Sequence, residues 1–173
     1  MASLDIVASV HPYGGHSKVT HYPLAVAAAF LAGEPVVVQA DGTLVECITN
    51  PDITAQPPTL TGIAAAAAVN VAQLNTNSAT IPANVLAPVI EMAPDVEFET
   101  RNLFSASDAL VVPLLSHIND KGSLRLTGGG VWGIDVGAGN LHFRIVRVLD
   151  SLKRDIRVSG GTGVFVRFVR AEE

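Results

Sequence analysis

Residues 126–139 read LTGGGVWGIDVGAG, and the fold class turns on how these glycines are interpreted. Gly128, Gly130 and Gly133 satisfy G-x-G-x-x-G, the spacing with which a backbone wraps a dinucleotide pyrophosphate. That fingerprint works only between a strand and a helix N-terminus, where free amides and the helix dipole hold the phosphates. Here VWGIDVGAGN follows, with β-branched residues, a tryptophan and further glycines, and it cannot begin a helix of useful length. No Gly-Lys-Ser/Thr follows either, so the Walker form fails. The acidic residues about 20 positions on, Asp150 and Asp155, do not end a second strand of a βαβ unit. The stretch instead predicts glycine turns on either side of a short strand, Val131 to Val136, with Trp132 and Asp135 on opposite faces.

The same period of two runs outward from it. In LHFRI, Leu141, Phe143 and Ile145 share one face while His142 and Arg144 share the other. SLRLT, IRVS and GVFVRFV read as further strands of the C-terminal third. In DVEFETR, Val96 and Phe98 alternate with Glu97 and Glu99, as in a half-buried strand, and VLAPVIEM precedes it. PVVVQA and TLVECIT are β-branched runs separated by Asp41-Gly42, a strong hairpin signal. LTGIAAAAAVNVA is open between two states over 62–74. Alanine favours helix, but no amphipathic stripe exists and Thr61 is a weak cap, so a strand of small side chains beside a close backbone is the favoured reading. Short helical pieces are admitted at LAVAAAF, closed by Gly33 and Pro35, and at SASDALVVPLLSHI, capped by Ser105 or Ser107 and cut by Pro113.

Eight to ten short strands with turns between them predict a mainly β fold, an antiparallel β-barrel or sandwich with at most one or two short helices. Residues 1–32, including HPYGGHSKVTHYP, lack a hydrophobic period and read as an extended N-terminal arm. Residues 33–173 read as a single β-rich domain.

Composition narrows the function. Hydrophobic residues make up 49% of the 173 residues and charged residues only 16%, so a chain of this kind is expected to hide surface in an oligomer or larger assembly. The uncharged run from Ile53 to Ile90 is broken by Pro57, Pro58, Pro82 and Pro88, which fits a subunit interface and no membrane span. MASLDIVASV carries Asp5 and no basic start, so no secretory leader is expected. A net charge of −5 argues against a dedicated nucleic-acid binder.

Candidate chemistry is sparse. The lone Cys47 has no local base and reads as a small buried side chain. His11, His16 and His21 recur every five residues, matching neither a helix nor a strand face, and read as arm residues against a neighbour before a metal site. No G-x-S-x-G elbow occurs, and nothing marks His117 or His142 as catalytic. No catalytic, cofactor-binding or metal-binding residue is therefore assigned. Glu97 and Glu99 read as a solvated or subunit-facing edge. Seven of the eleven Lys and Arg residues fall late, at Arg144, Arg147, Lys153, Arg154, Arg157, Arg167 and Arg170. Interleaved with Phe143, Phe165 and Phe168 they imitate an oligonucleotide-binding barrel, but nearby acids dilute them, and a basic strand face meeting an acidic protein surface is favoured.

Laid out in order, AGEPVVVQADGTLVECIT, LTGIAAAAA, TIPANVLAPVIEMAPDVEFE, VWGIDVGAGNLHFRIVRVLD and GVFVRFV resemble the small decoration (cement) proteins of tailed-bacteriophage capsids. The resemblance implies a β-tulip-like structural protein without catalytic residues or cofactor. It would be made in the host cytoplasm and sit on the outer capsid surface of the virion. It would act as a homotrimer that clamps neighbouring major capsid subunits, with the N-terminal arm reaching across the shell. On that reading, removing residues 2–22 should leave a folded trimer unable to bind capsids. The rival expectations are a ligand- or carbohydrate-binding β-module, a hydrolase on the same scaffold and a nucleic-acid-binding barrel.

Overall fold

Alternating side chains resolve into fourteen short strands in the computed structural model, which describes residues 7–9, 19–25, 28–48, 60–69, 86–105, 109–128, 130–137 and 142–171. They are β1 (Val7–Ser9), β2 (Val19–Pro23), β3 (Ala29–Phe30), β4 (Pro35–Val38), β5 (Leu44–Glu46), β6 (Gly62–Ala64) and β7 (Ala68–Val69). There follow β8 (Leu86–Glu91), β9 (Glu97–Thr100), β10 (Leu103–Phe104), β11 (Lys121–Leu126), β12 (Trp132–Asp135), β13 (Phe143–Leu149) and β14 (Phe165–Arg170). The protein is mainly β, as its sequence predicts. Contacts divide the chain into two compact units, one of Met1–Ser17 with Met92–Glu173 and one of Lys18–Glu91.

The first unit holds a seven-stranded sheet in the order β1-β9-β14-β13-β11-β12-β10. All its pairings are antiparallel except β10 with β12, which run parallel. Its buried face carries Phe98, Phe143, Ile145 and Phe168, brought together because Phe98 and Ile145 both lie opposite Phe168 in register. Phe168 stacks on Phe98 with centroids 5.9 Å apart and meets Phe143 edge-on at 5.5 Å. Each such ring contributes roughly 1.5–3 kcal/mol through burial.

The second unit holds a five-stranded antiparallel sheet, β2-β8-β6-β4-β5, and the separate pair β3-β7. Leu24, Phe30, Val36, Leu44, Ala64, Ala87 and Val89 form its core. The Asp41-Gly42 hairpin forms as expected. The Asp41 carboxylate accepts the Thr43 N–H at 2.9 Å and its hydroxyl at 2.7 Å, and the Gly42 N–H bonds the Gln39 carbonyl at 2.9 Å. Over 62–69 the alanine-rich segment is strand, bend and strand, as favoured; residues 70–74 lie outside the described residues. A neighbouring backbone is indeed close there, since a Cβ on Gly62 would overlap the Ile90 carbonyl.

Several expectations are revised. Neither sheet closes into a barrel, because β1 and β10 are edges of one and β2 and β5 of the other. Part of the expected arm is sheet, since β1 pairs with β9 and all five residues of β2 pair with β8. Removing residues 2–22 would therefore take out strands as well as an arm. In LAVAAAF the Ala28 N–H bonds the Ala25 carbonyl and β3 follows, while residues 26 and 27 lie outside the described residues. Among the described residues of SASDALVVPLLSHI the chain is extended, with one 3-10 turn at Leu115–His117 beyond Pro113. IRVS is not a strand; Asp155 makes a single bridge to Leu149, and the Ile156 N–H reaches the Val148 carbonyl at 2.9 Å.

Candidate functional site

The glycine-rich stretch is a hairpin corner followed by a crowded strand. The Gly130 N–H bonds the Thr127 carbonyl and the Thr127 N–H bonds the Val131 carbonyl, both at 2.9 Å, which turns β11 into β12. Gly130 takes a φ of 76°, the left-handed region where a side chain costs energy. Gly133 is glycine for a different reason. The Ile134 N–H bonds the Asn102 carbonyl at 2.9 Å, so β10 runs directly against this strand. A Cβ on Gly133 would overlap the Asn102 carbonyl and stand 2.5 Å from the Phe104 ring. The two glycines thus serve a turn and a close backbone approach, and strands flank them on both sides.

Trp132 and Asp135 occupy opposite faces of β12, as predicted, and both are buried. Asp135 is 0% exposed and paired: Arg125 Nη1 lies 2.6 Å from Oδ2, and the Gly137 N–H donates to Oδ1 at 2.8 Å. The register makes this pair possible. Ser123 lies opposite Asp135 and Arg125 opposite Gly133, so Arg125 reaches the carboxylate diagonally across the two strands.

The second polar constellation lies on the face of β9, β14 and β13 away from the phenylalanines. Glu97 and Glu99 share that face, as expected, but they are neither an edge nor solvated. β9 lies between β1 and β14, and Glu99 is only 2% exposed. Lys153 Nζ lies 2.6 Å from Glu99 Oε1, and Arg167 donates its Nε–H to Oε2 at 3.1 Å. Glu97 faces Arg147 at 3.6 Å and Arg167 at 3.7 Å, and Arg147 also reaches Asp155 at 3.3 Å. Glu97 and Glu99 are therefore partners of Arg147, Lys153 and Arg167, which corrects the edge reading of the acids and, for these three of the seven late cations, the reading of a basic face turned to another protein. Lys153 and Arg101 also cover the Phe165 ring at 5.0 and 5.1 Å.

A β-bulge makes this face possible. Ile145 lies opposite Phe168 and Arg147 opposite Arg167, so Val146 is an extra residue. In a regular strand Arg147 would share the buried face of Ile145. The bulge turns it among the charges and returns Val148 to the core. At the following turn, the Asp150 carboxylate accepts the N–H groups of Leu152 and Arg154 at 2.8 and 2.9 Å and the Arg154 guanidinium at 2.8 Å. The Arg154 backbone and then its side chain hold this carboxyl below its ordinary pKa. Its support for the turn is complete above the ordinary value and is lost as the pH falls through the lowered one.

The remaining candidates stand apart from this network. His117 accepts the Leu114 N–H on Nδ1 at 2.9 Å, which closes the 3-10 turn. His142 leads into β13, and its carbonyl accepts the Ala171 N–H. Cys47 is buried beside β4, its N–H on the Pro35 carbonyl, in line with the packing role expected of it. His21 is exposed on β2 opposite Pro88, whereas His11 and His16 lie outside the described residues. Among the described residues no cluster of three or more His, Cys, Asp or Glu could hold a metal ion. Nor is any helix there long and apolar enough to cross a membrane.

No protein-family model, curated protein or solved structure matches this chain. Function has to be argued from its own surface.

On that surface several large aliphatic side chains of the first unit are exposed. Leu110 is 68% exposed, Val112 57% and Val164 41%. Leu114 bridges Thr162 antiparallel, and the Gly163 N–H bonds the Pro113 carbonyl at 2.6 Å. These two contacts bring the segments that carry Val112 and Val164 together at Pro113 and Gly163. Sequence inspection missed this rim. The signal was available in ALVVPLL, an apolar run with a proline in a region otherwise read as a helix.

Proposed function

We propose that the protein is a structural subunit of a tailed-phage virion that binds the outside of the assembled capsid as a homotrimer and clamps neighbouring major capsid subunits. The resemblance of its strand segments to decoration proteins points to the shell. The observation that carries a contact-making role is the exposure of the aliphatic side chains Leu110, Val112 and Val164. Exposed apolar side chains gathered by the fold mark a surface that another protein covers. Clamping works through avidity: a trimer engaging several sites gains about 10²–10⁴ over any one contact, so each contact can be modest.

Shells assembled from the major capsid protein encoded with this chain provide the test. The protein is expected to pellet with them up to a fixed stoichiometry and to raise the temperature at which they come apart. Replacing Val112 and Val164 together with Asp should leave Trp132 fluorescence native and move the protein to the supernatant. Wild-type protein that stays in the supernatant, or shells no more heat-resistant with it than without, would overturn the proposal.

A further inference from the structure

Beside the bulge in β13 lies an open groove of about 380 Å³. Its apolar wall is formed by the half-buried Ile118, Val146 and Ile156, and its charge by Arg147, Asp155 and Arg157. The Ile156 N–H on the Val148 carbonyl holds the 155–157 segment alongside the strand, so both walls are anchored. We infer that this groove docks an acidic side chain flanked by branched aliphatic residues on an extended segment of a partner protein.

The charge balance of the groove selects that occupant. Two guanidiniums face one carboxylate. Arg157 is exposed and makes no ion pair with a described residue. Arg147 is held loosely, 3.3 Å from Asp155 and 3.6 Å from Glu97, against about 2.7–2.9 Å for a well-made charge-assisted bond. Glu97 is shared with Arg167 at 3.7 Å, so it does not saturate Arg147. A carboxylate entering between Arg147 and Arg157 would gain close bonds from two planar donors suited to bidentate capture. The apolar wall beside them asks for aliphatic neighbours on the same segment, which a nucleic-acid backbone lacks. The volume is at the small end for ligand sites, room for two or three side chains, and its openness suits a passing chain. The slot is defined by its own chemistry and stands whether or not the partner is a capsid subunit.

The test uses the full chain and a capped Val-Glu-Val-Glu-Val peptide, read from the methyl resonances of Ile118, Val146 and Ile156. Those methyls are expected to shift and saturate at millimolar peptide, and binding should weaken several-fold between about 0.05 M and 0.5 M salt as screening shortens. Arg157→Glu should weaken binding about tenfold or more, while Arg144→Glu, outside the groove, leaves it within about twofold. Native Trp132 fluorescence in both variants would show that they fold. The inference is overturned if the methyls stay unmoved, if Val-Lys-Val-Lys-Val shifts them equally, or if a short oligothymidylate does so in place of the acidic peptide.

Discussion

Alanine at Gly133 is expected to destabilise the seven-stranded unit by about 3 kcal/mol, the upper end of overpacking costs. The added Cβ meets the Asn102 carbonyl, the Phe104 ring at 2.5 Å and the Asn102 Cβ at 2.7 Å, and two of those contacts lie on backbone-anchored atoms of the neighbouring β10 segment. Relief requires β10 to move off β12, which would break the bond from the Ile134 N–H to the Asn102 carbonyl and the bond from the Asn102 side-chain amide to the Trp132 carbonyl. Urea unfolding followed by fluorescence reads the change directly, because Trp132 is the single tryptophan and sits buried in the same strand. A nucleotide-cradling glycine would behave otherwise, with stability kept and ligand affinity lost. Wild-type stability for Gly133→Ala would contradict the packing account of this glycine.

Removing the carboxylate at Asp135 is expected to cost about 3 kcal/mol, near the lower bound for breaking a buried pair because Arg125 is 27% exposed and retains access to water. Asp135→Ala strips the 2.6 Å contact from Arg125 and the acceptor from the Gly137 N–H at once. Asp135→Asn keeps an oxygen for Gly137 while removing the charge, so a loss of about half that size is expected, since hydrogen bonds to charged groups are worth about 1.5–3 kcal/mol. The ordering, alanine worse than asparagine worse than wild type, is measured on the same fluorescence transition. Equal stability of the three would show that the pair holds nothing in place.

These two residues show what was legible in the sequence and what was not. Turn chemistry and strand parity are local, so the Asp41-Gly42 hairpin, the Trp132–Asp135 strand and the Phe143/Ile145 face could be read directly. Pairing between distant strands is not local. Glu99 meets Lys153 and Arg167 across sequence separations of 54 and 68 residues, so the acids and the bases each looked like a surface in search of a partner. The bulge at Val146 leaves no mark in the sequence, yet it decides that Arg147 faces the charges and not the core. β2 was hidden for a related reason. Its five residues mix Val, Thr, His, Tyr and Pro without apolar alternation, and it is a strand because β8 pairs along its whole length.

Of the chemistry that the sequence seemed to offer, the glycine motif closes a hairpin and admits a neighbouring strand, and Glu97 and Glu99 join Arg147, Lys153 and Arg167. The aliphatic rim and the groove beside the bulge face outward among the described residues, and both suit contact with another protein. Electron cryo-microscopy of shells incubated with the protein tests that account most directly. It predicts three-fold density outside the shell at symmetry-equivalent positions, with Leu110, Val112 and Val164 covered by capsid or by a neighbouring copy. Bare shells under saturating protein, or bound density that leaves this rim facing solvent, would contradict it.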